Sequence, residues 1–270
     1  MRSDPTRPLR GMFDKRMAAI LRNARKEAIE RIRDYLRWHP LDVDEIMAIL
    51  KDVENRYLTQ GGQSTIYQFV NTAYNQGAGD VLKDLERARK PTGFTLNINA
   101  TFTLQDRRAI QTLASLTMND LQGISSAANP KILNRIVMLD KQGAGITKIS
   151  RAIYTNYNDL TIAQAERISR TTINRAYNSA AWDRILSYAP YKEWIPTLSD
   201  GRTRDSHRKM AGVIIPTDEP FIVPAFRPSP GSKKLVPEAK MMFPGDVSMD
   251  ADKGQWMQCR CALTGRFIKP

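Results

Sequence analysis

Ten of the fifteen prolines in this 270-residue chain lie at or beyond position 190: Pro190, Pro196, Pro216, Pro220, Pro224, Pro228, Pro230, Pro237, Pro244 and Pro270. Proline fixes φ and has no amide hydrogen to donate, so it interrupts helices and is confined to strand edges. The first 190 residues are therefore free to build long helices, while the remainder is held to short elements and loops. The expected fold class is mainly α, with a helical body over the N-terminal two-thirds and a small α+β, loop-rich C-terminal module.

Apolar periodicity fills in the body. Phe13, Met17, Ile20, Ala24, Ala28, Ile32 and Tyr35 recur at three and four residues, which predicts a helix from Gly11 to Trp38, ended by His39-Pro40. A second helix is expected from Asp42 to Leu58, broken by Gly61-Gly62, and a third from Ser64 to Arg89. The alternating run Phe94–Phe102 reads as a strand or an extended linker. Helices then resume over Leu104–Gln122, over 130–142 with Pro130 in a first turn, and over Ile146–Tyr157. Thr161-Ile-Ala-Gln164 has capping-box spacing and is expected to open a last helix ending near Tyr188. Strand candidates in the module are Lys192–Leu198, Val213–Ile215, Phe221–Val223 and Arg266–Ile268. The division that follows is a basic flexible arm (1–10), a basic helical region (11–90), a second helical region (91–190) and the terminal module (191–270).

Charge points to a partner. The chain carries 41 Lys+Arg against 28 Asp+Glu, a net +13, which favours an anionic partner such as nucleic acid. Residues 1–40 hold eleven basic and five acidic side chains, an excess of six. Arg10, Lys15, Arg16, Arg22, Arg25, Lys26 and Arg33 are the candidate phosphate contacts. No apolar run is long enough to cross a bilayer, so no membrane anchor is expected, and the first residues lack the pattern of a secretory signal. Two cysteines are too few for a disulfide framework, in keeping with synthesis in a reducing cytoplasm.

Those two cysteines flank one arginine in Cys259-Arg-Cys261, and one of the two histidines closes Asp200-Gly-Arg-Thr-Arg-Asp-Ser-His207. His207, Cys259 and Cys261 offer three zinc ligands, with Asp200 or Asp205 as a fourth. The simpler alternative keeps the cysteines as buried small side chains or a disulfide, with His207 bracing loops and no cofactor. Asp200, Arg202, Arg204, Asp205 and His207 also assemble a general base beside cationic clamps, the parts of a small nuclease-like module, metal-independent or zinc-containing. No second acid or nucleophile elsewhere supports that chemistry, and a generic nucleic-acid-binding module is the other alternative.

Taken in order, several pieces resemble the phage head morphogenesis family, the minor head proteins typified by the F protein of phage Mu. They are Gly143-Ala-Gly-Ile-Thr-Lys-Ile-Ser-Arg-Ala-Ile153, Arg167-Ile-Ser-Arg-Thr-Thr-Ile-Asn-Arg-Ala-Tyr-Asn178, Trp194, Thr197, Asp200–His207, Gly212, Pro220-Phe221, Pro244-Gly-Asp246 and Cys259-Arg-Cys261. Thr172 stands where the family usually has Glu, so no role of that carboxylate carries over. The resemblance implies a non-enzymatic structural role in the virion of a tailed phage, in head assembly and in DNA packaging or delivery. The implied partners are the portal protein, packaged double-stranded DNA, and the major capsid or scaffolding protein. Arg170, Asp200, Arg202, Arg204 and His207 would be the structural motif.

Overall fold

The computed structural model describes residues 4–92, 102–198, 202–228 and 232–267. Five long helices come first: α1 (Arg7–Trp38), α2 (Val43–Glu54), α3 (Gly61–Arg89), α4 (Leu104–Lys141) and α5 (Ile146–Tyr188). Past Pro190 the elements shorten to β1 (Tyr191–Ile195), α6 (Asp205–Arg208), β2 (Ile214–Pro216), β3 (Phe221–Val223), β4 (Ala239–Met241), α7 (Lys253–Trp256) and β5 (Ala262–Arg266). The chain is mainly α with small antiparallel strands in its C-terminal part, as the proline distribution demands.

Helix ends differ from the expected ones where local chemistry outweighs a breaker residue. The N-terminal arm is capped: the Asp4 carboxylate accepts from the Thr6 amide (3.0 Å) and hydroxyl (2.7 Å), and α1 starts at Arg7. Gly61-Gly62 does not break the chain. A π-helical turn, Asn55–Gln60, joins α2 to α3 without leaving helical space, and Gly61 keeps φ at −76°. That turn brings its carbonyls close to the next one: a Cβ on Gly61 would meet the Arg56 oxygen at 3.2 Å. The glycines let the widened turn close onto α3.

Pro130 lies inside α4 instead of starting a new helix. Buried Leu121, Ile132, Ile136 and Leu139 stay on one stripe across it, and that burial outweighs the roughly 3 kcal/mol cost of an internal proline. Thr161 likewise opens nothing, because the backbone is already helical when it arrives there and α5 is continuous. The true capping box sits before α4. The Asp106 amide donates to the Thr103 hydroxyl (3.2 Å) while the Thr103 amide donates to the Asp106 carboxylate (2.7 Å). Of the strand-like run 94–102, all but Phe102 lies outside the described residues.

The chain forms two compact units, each assembled from separated stretches and not from the consecutive ones drawn above. The first comprises Met1–Arg10, Phe69–Leu113 and Arg170–Pro270; the second comprises Gly11–Gln68 and Ala114–Ser169. The second has a core of Ala28, Ile32, Ile46, Leu50, Ile132, Ile136, Ile149 and Ile153. In the first, β1 is central in an antiparallel sheet of order β2-β1-β5, with Trp194 opposite Leu263, and β3 pairs with β4 as a separate ribbon. Its core joins Val81, Leu85, Ala181 and Ile185 of α3 and α5 to Trp194, Phe221, Met241, Cys259, Cys261 and Leu263.

Candidate metal centre

The first unit brings the sequence-distant histidine and cysteines together. Arg204 precedes the single turn α6, which carries His207; Cys259 and Cys261 stand immediately before β5. His207 Nδ1 lies 3.4 Å from Cys261 Sγ and 3.6 Å from Cys259 Sγ, and each of the three residues is 1% exposed. Trp194 of β1 meets the imidazole edge-on, with ring centroids 5.3 Å apart, and fixes its plane. Both cysteines are free thiols. Burial pushes both thiols up, but for Cys259 the neighbouring Cys261 and His207, with Arg204 beyond, outweigh it and hold the thiol well below its usual value. Burial, and then the adjacent Cys259, hold Cys261 well above its usual value.

The loops are held by hydrogen bonds from α5 and from each other. Arg170 Nη1 donates to Gln258 Oε1 (3.1 Å) and the Gln258 amide donates to Thr171 Oγ1 (3.1 Å). These contacts fix Gln258 at φ +55°, a left-handed conformation that turns the chain into Cys259. Asn178 Nδ2 donates to the carbonyls of Asn174 (3.1 Å), Pro244 (3.1 Å) and Cys261 (2.9 Å). Arg175 donates to Gly245 O (3.3 Å) and stacks over Trp256. Across the loops, Thr197 Oγ1 donates to Arg260 O (2.7 Å), Arg204 donates to Met257 O, and Gln255 Nε2 donates to Pro224 O (3.0 Å) and Pro237 O (2.9 Å). Buried carbonyls in a proline-rich segment cannot all find ladder partners, so side-chain amides and guanidinium groups take that place.

The remaining candidates fall elsewhere. Asp205 points to solvent, its side chain 80% exposed and 3.6 Å from Arg208, so it is not a ligand. Asp200 lies outside the described residues, and Arg202 is exposed. With His207 enclosed by thiols and Asp205 turned outward, the loop does not present both to one phosphodiester. Thr171, Arg175 and Asn178 lie in the Arg167–Asn178 segment that carries the resemblance, but the sequence assigns them no role in the site, and Gln255 was missed altogether. The available signal was a run of polar side chains on an alanine-rich helix face.

Among the candidate phosphate contacts, two are turned inward. Arg10 pairs with Asp4 (2.6 Å) and Arg25 stacks over the Tyr154 ring at 4.2 Å; both are 8% exposed. Lys15, Arg16, Arg22, Lys26 and Arg33 are exposed. Lys15, Arg22, Lys26, Arg33 and Arg37 recur at alternating spacings of seven and four, a single stripe along about 33 Å of α1 in the second unit. Lys26 and Arg37 approach Glu30 and Asp34 only at 4.0 Å.

Comparison with known families matches residues 131–264 to the family described as Phage Mu protein F like protein. No curated protein and no solved structure matches the chain. The matched stretch contains the α5 latch residues, the α6 histidine and both cysteines. Residues 131–264, just under half of the chain, match the Phage Mu protein F like family, which supports a Mu F-like phage head morphogenesis protein.

Proposed function

We propose that this protein is a non-enzymatic minor head component of a tailed-phage virion, made in the host cytoplasm. It acts in head assembly and in DNA packaging or delivery at the portal vertex, and contacts packaged double-stranded DNA without reading its sequence. The observation that supports the DNA contact is the exposed stripe Lys15, Arg22, Lys26, Arg33 and Arg37 on α1. A row of cations on one rigid rod follows a phosphate backbone by neutralising charge and releasing counterions, which needs no base contact. A portal partner, and a major capsid or scaffolding partner, rest on the family alone.

The test is the triple substitution Lys15→Glu, Arg22→Glu and Arg33→Glu in the full chain. Affinity for duplex DNA of arbitrary sequence should fall at least tenfold at low salt, and the slope of log affinity against log salt should flatten by about two to three. Unchanged affinity and slope refute the DNA contact. Separately, nuclease-treated portal protein should retain the wild-type chain on an affinity support; no retention refutes direct docking at the portal.

A further inference from the structure

We propose that His207 Nδ1, Cys259 Sγ and Cys261 Sγ are three ligands of one structural zinc ion that ties the C-terminal loops of the first unit. The proposal is independent of the DNA and portal contacts above.

Distances come first. With zinc–sulfur bonds of about 2.3 Å and zinc–nitrogen bonds of about 2.1 Å, a tetrahedral centre separates a nitrogen ligand from a sulfur ligand by about 3.6 Å. The observed separations are 3.4 and 3.6 Å, so both nitrogen–sulfur edges of a coordination tetrahedron are already formed. All three candidate ligand atoms lie within 4.8 Å of one another. A single imidazole nitrogen facing two sulfurs is poorly served by hydrogen bonding alone, because it carries at most one proton or one lone pair. One cation at the centre of the triangle satisfies all three atoms together.

The donor set and its surroundings select the metal and its job. Two sulfurs and an imidazole favour a thiophilic ion of tetrahedral habit over magnesium or calcium, which take oxygen ligands. All three residues are buried, so the ion would serve the fold, its fourth tetrahedral position falling to a donor such as water. Two thiolates neutralise a divalent cation, which removes the penalty of burying charge among Trp194, Met210 and Leu263. The Cys-x-Cys backbone is set in advance of any ion. Arg260 O is held by Thr197, Cys261 O by Asn178, and the preceding Gln258 by Arg170 and Thr171. The ligands come from segments some fifty residues apart, His207 on α6 and the cysteines just before β5, and a cross-link over that length constrains the unfolded chain strongly.

The experiment begins with the full-length wild-type chain expressed in zinc-supplemented medium. Metal analysis should find about one zinc per chain. Removing it with a chelator should lower the thermal midpoint, and adding zinc should restore it. Cobalt added to the metal-free chain should develop a near-ultraviolet sulfur-to-cobalt charge-transfer band, a readout that needs no variant to fold. Cys261→Ser should lose the band, whereas His207→Cys should keep zinc and intensify it. Three results overturn the proposal: metal-free chain with no cobalt band, stoichiometric copper in place of zinc, or no titratable thiols in the denatured chain because Cys259 and Cys261 are joined.

Discussion

Lys192 shows what a single buried charge does to this fold. Its side chain is fully enclosed, with Nζ donating to Met242 O at 2.9 Å and lying over the Phe221 ring. Burial pushes its pKa down to about 8, only partly opposed by the charges of Asp246, Asp218 and Glu219. An unfolded lysine titrates near 10.4, so between about 8 and about 10.4 the unfolded chain binds a proton that the folded chain has lost. Stability from this group therefore rises as pH climbs through that window, and the full penalty is present below it. Lys192→Met should raise stability at neutral pH by about 1–2 kcal/mol, after allowing for the lost hydrogen bond, and the gain should shrink at alkaline pH. Denaturant unfolding of both proteins at the two pH values checks this; a variant less stable at neutral pH rules it out. At this scale the sequence was legible for side chains with distinctive chemistry. His207, Cys259 and Cys261 stood out because there are so few of them. Lys192 did not, because a lysine in a short strand reads as an outward-facing residue, and only the closure of β3 and β4 over it buries it.

Among the elements, α5 is the helix to which the terminal loops are fastened. Thr171, Arg175 and Asn178 recur at spacings of four and three, so one face presents donors and acceptors to the chain around Gly245, Gln258 and Cys261. Within the same unit α3 comes so close to this helix that a Cβ on Gly77 would fall inside contact distance of the Tyr177 carbonyl. Gly77→Ala should therefore cost about 2–4 kcal/mol, far more than its helix-propensity gain would return. Thermal unfolding measures it, and a variant as stable as the parent would show that the two helices separate without loss. Helix faces were readable from periodicity, as the buried series Phe13, Met17, Ala24, Ala28 and Ile32 shows. Several helix ends were readable too, at Trp38, Arg89, Leu104, Ile146 and Tyr188, but the expected internal stops were not real ones. Gly61-Gly62, Pro130 and Thr161 are local signals that continuous burial or an already helical backbone overrode, and β4 is too short to show an alternation.

For the molecule as a whole, the matched segment and the compact units do not coincide. Residues 131–264 include neither α3, which supplies Val81, Leu82 and Leu85 to the core around the candidate metal centre, nor the capped residues Asp4 to Arg10. Gly265 shows how closely α3 is needed: a Cβ there would collide with the Leu85 side chain. A fragment of residues 131–270 should therefore unfold without cooperativity and bind a hydrophobic dye strongly, while the full chain unfolds cooperatively and binds little dye. A fragment with a sharp transition equal to that of the full chain would contradict this. This division was hidden in the sequence because apolar periodicity places a residue on a helix face without saying which distant helix covers it.

The interleaving also sets a timetable for a chain emerging from a ribosome. Every residue of the second unit has been made once Ser169 is added, so that unit can fold early. The first unit must wait: its opening residues, Asp4 to Arg10, are synthesised first, yet its sheet cannot close until β5 follows Cys259 and Cys261. During that interval Trp194, Phe221 and Leu85 lack their final cover. The newborn chain is then most exposed to aggregation between the synthesis of Trp194 and that of β5, and a metal ion captured by Cys259 and Cys261 would arrive at the moment of closure.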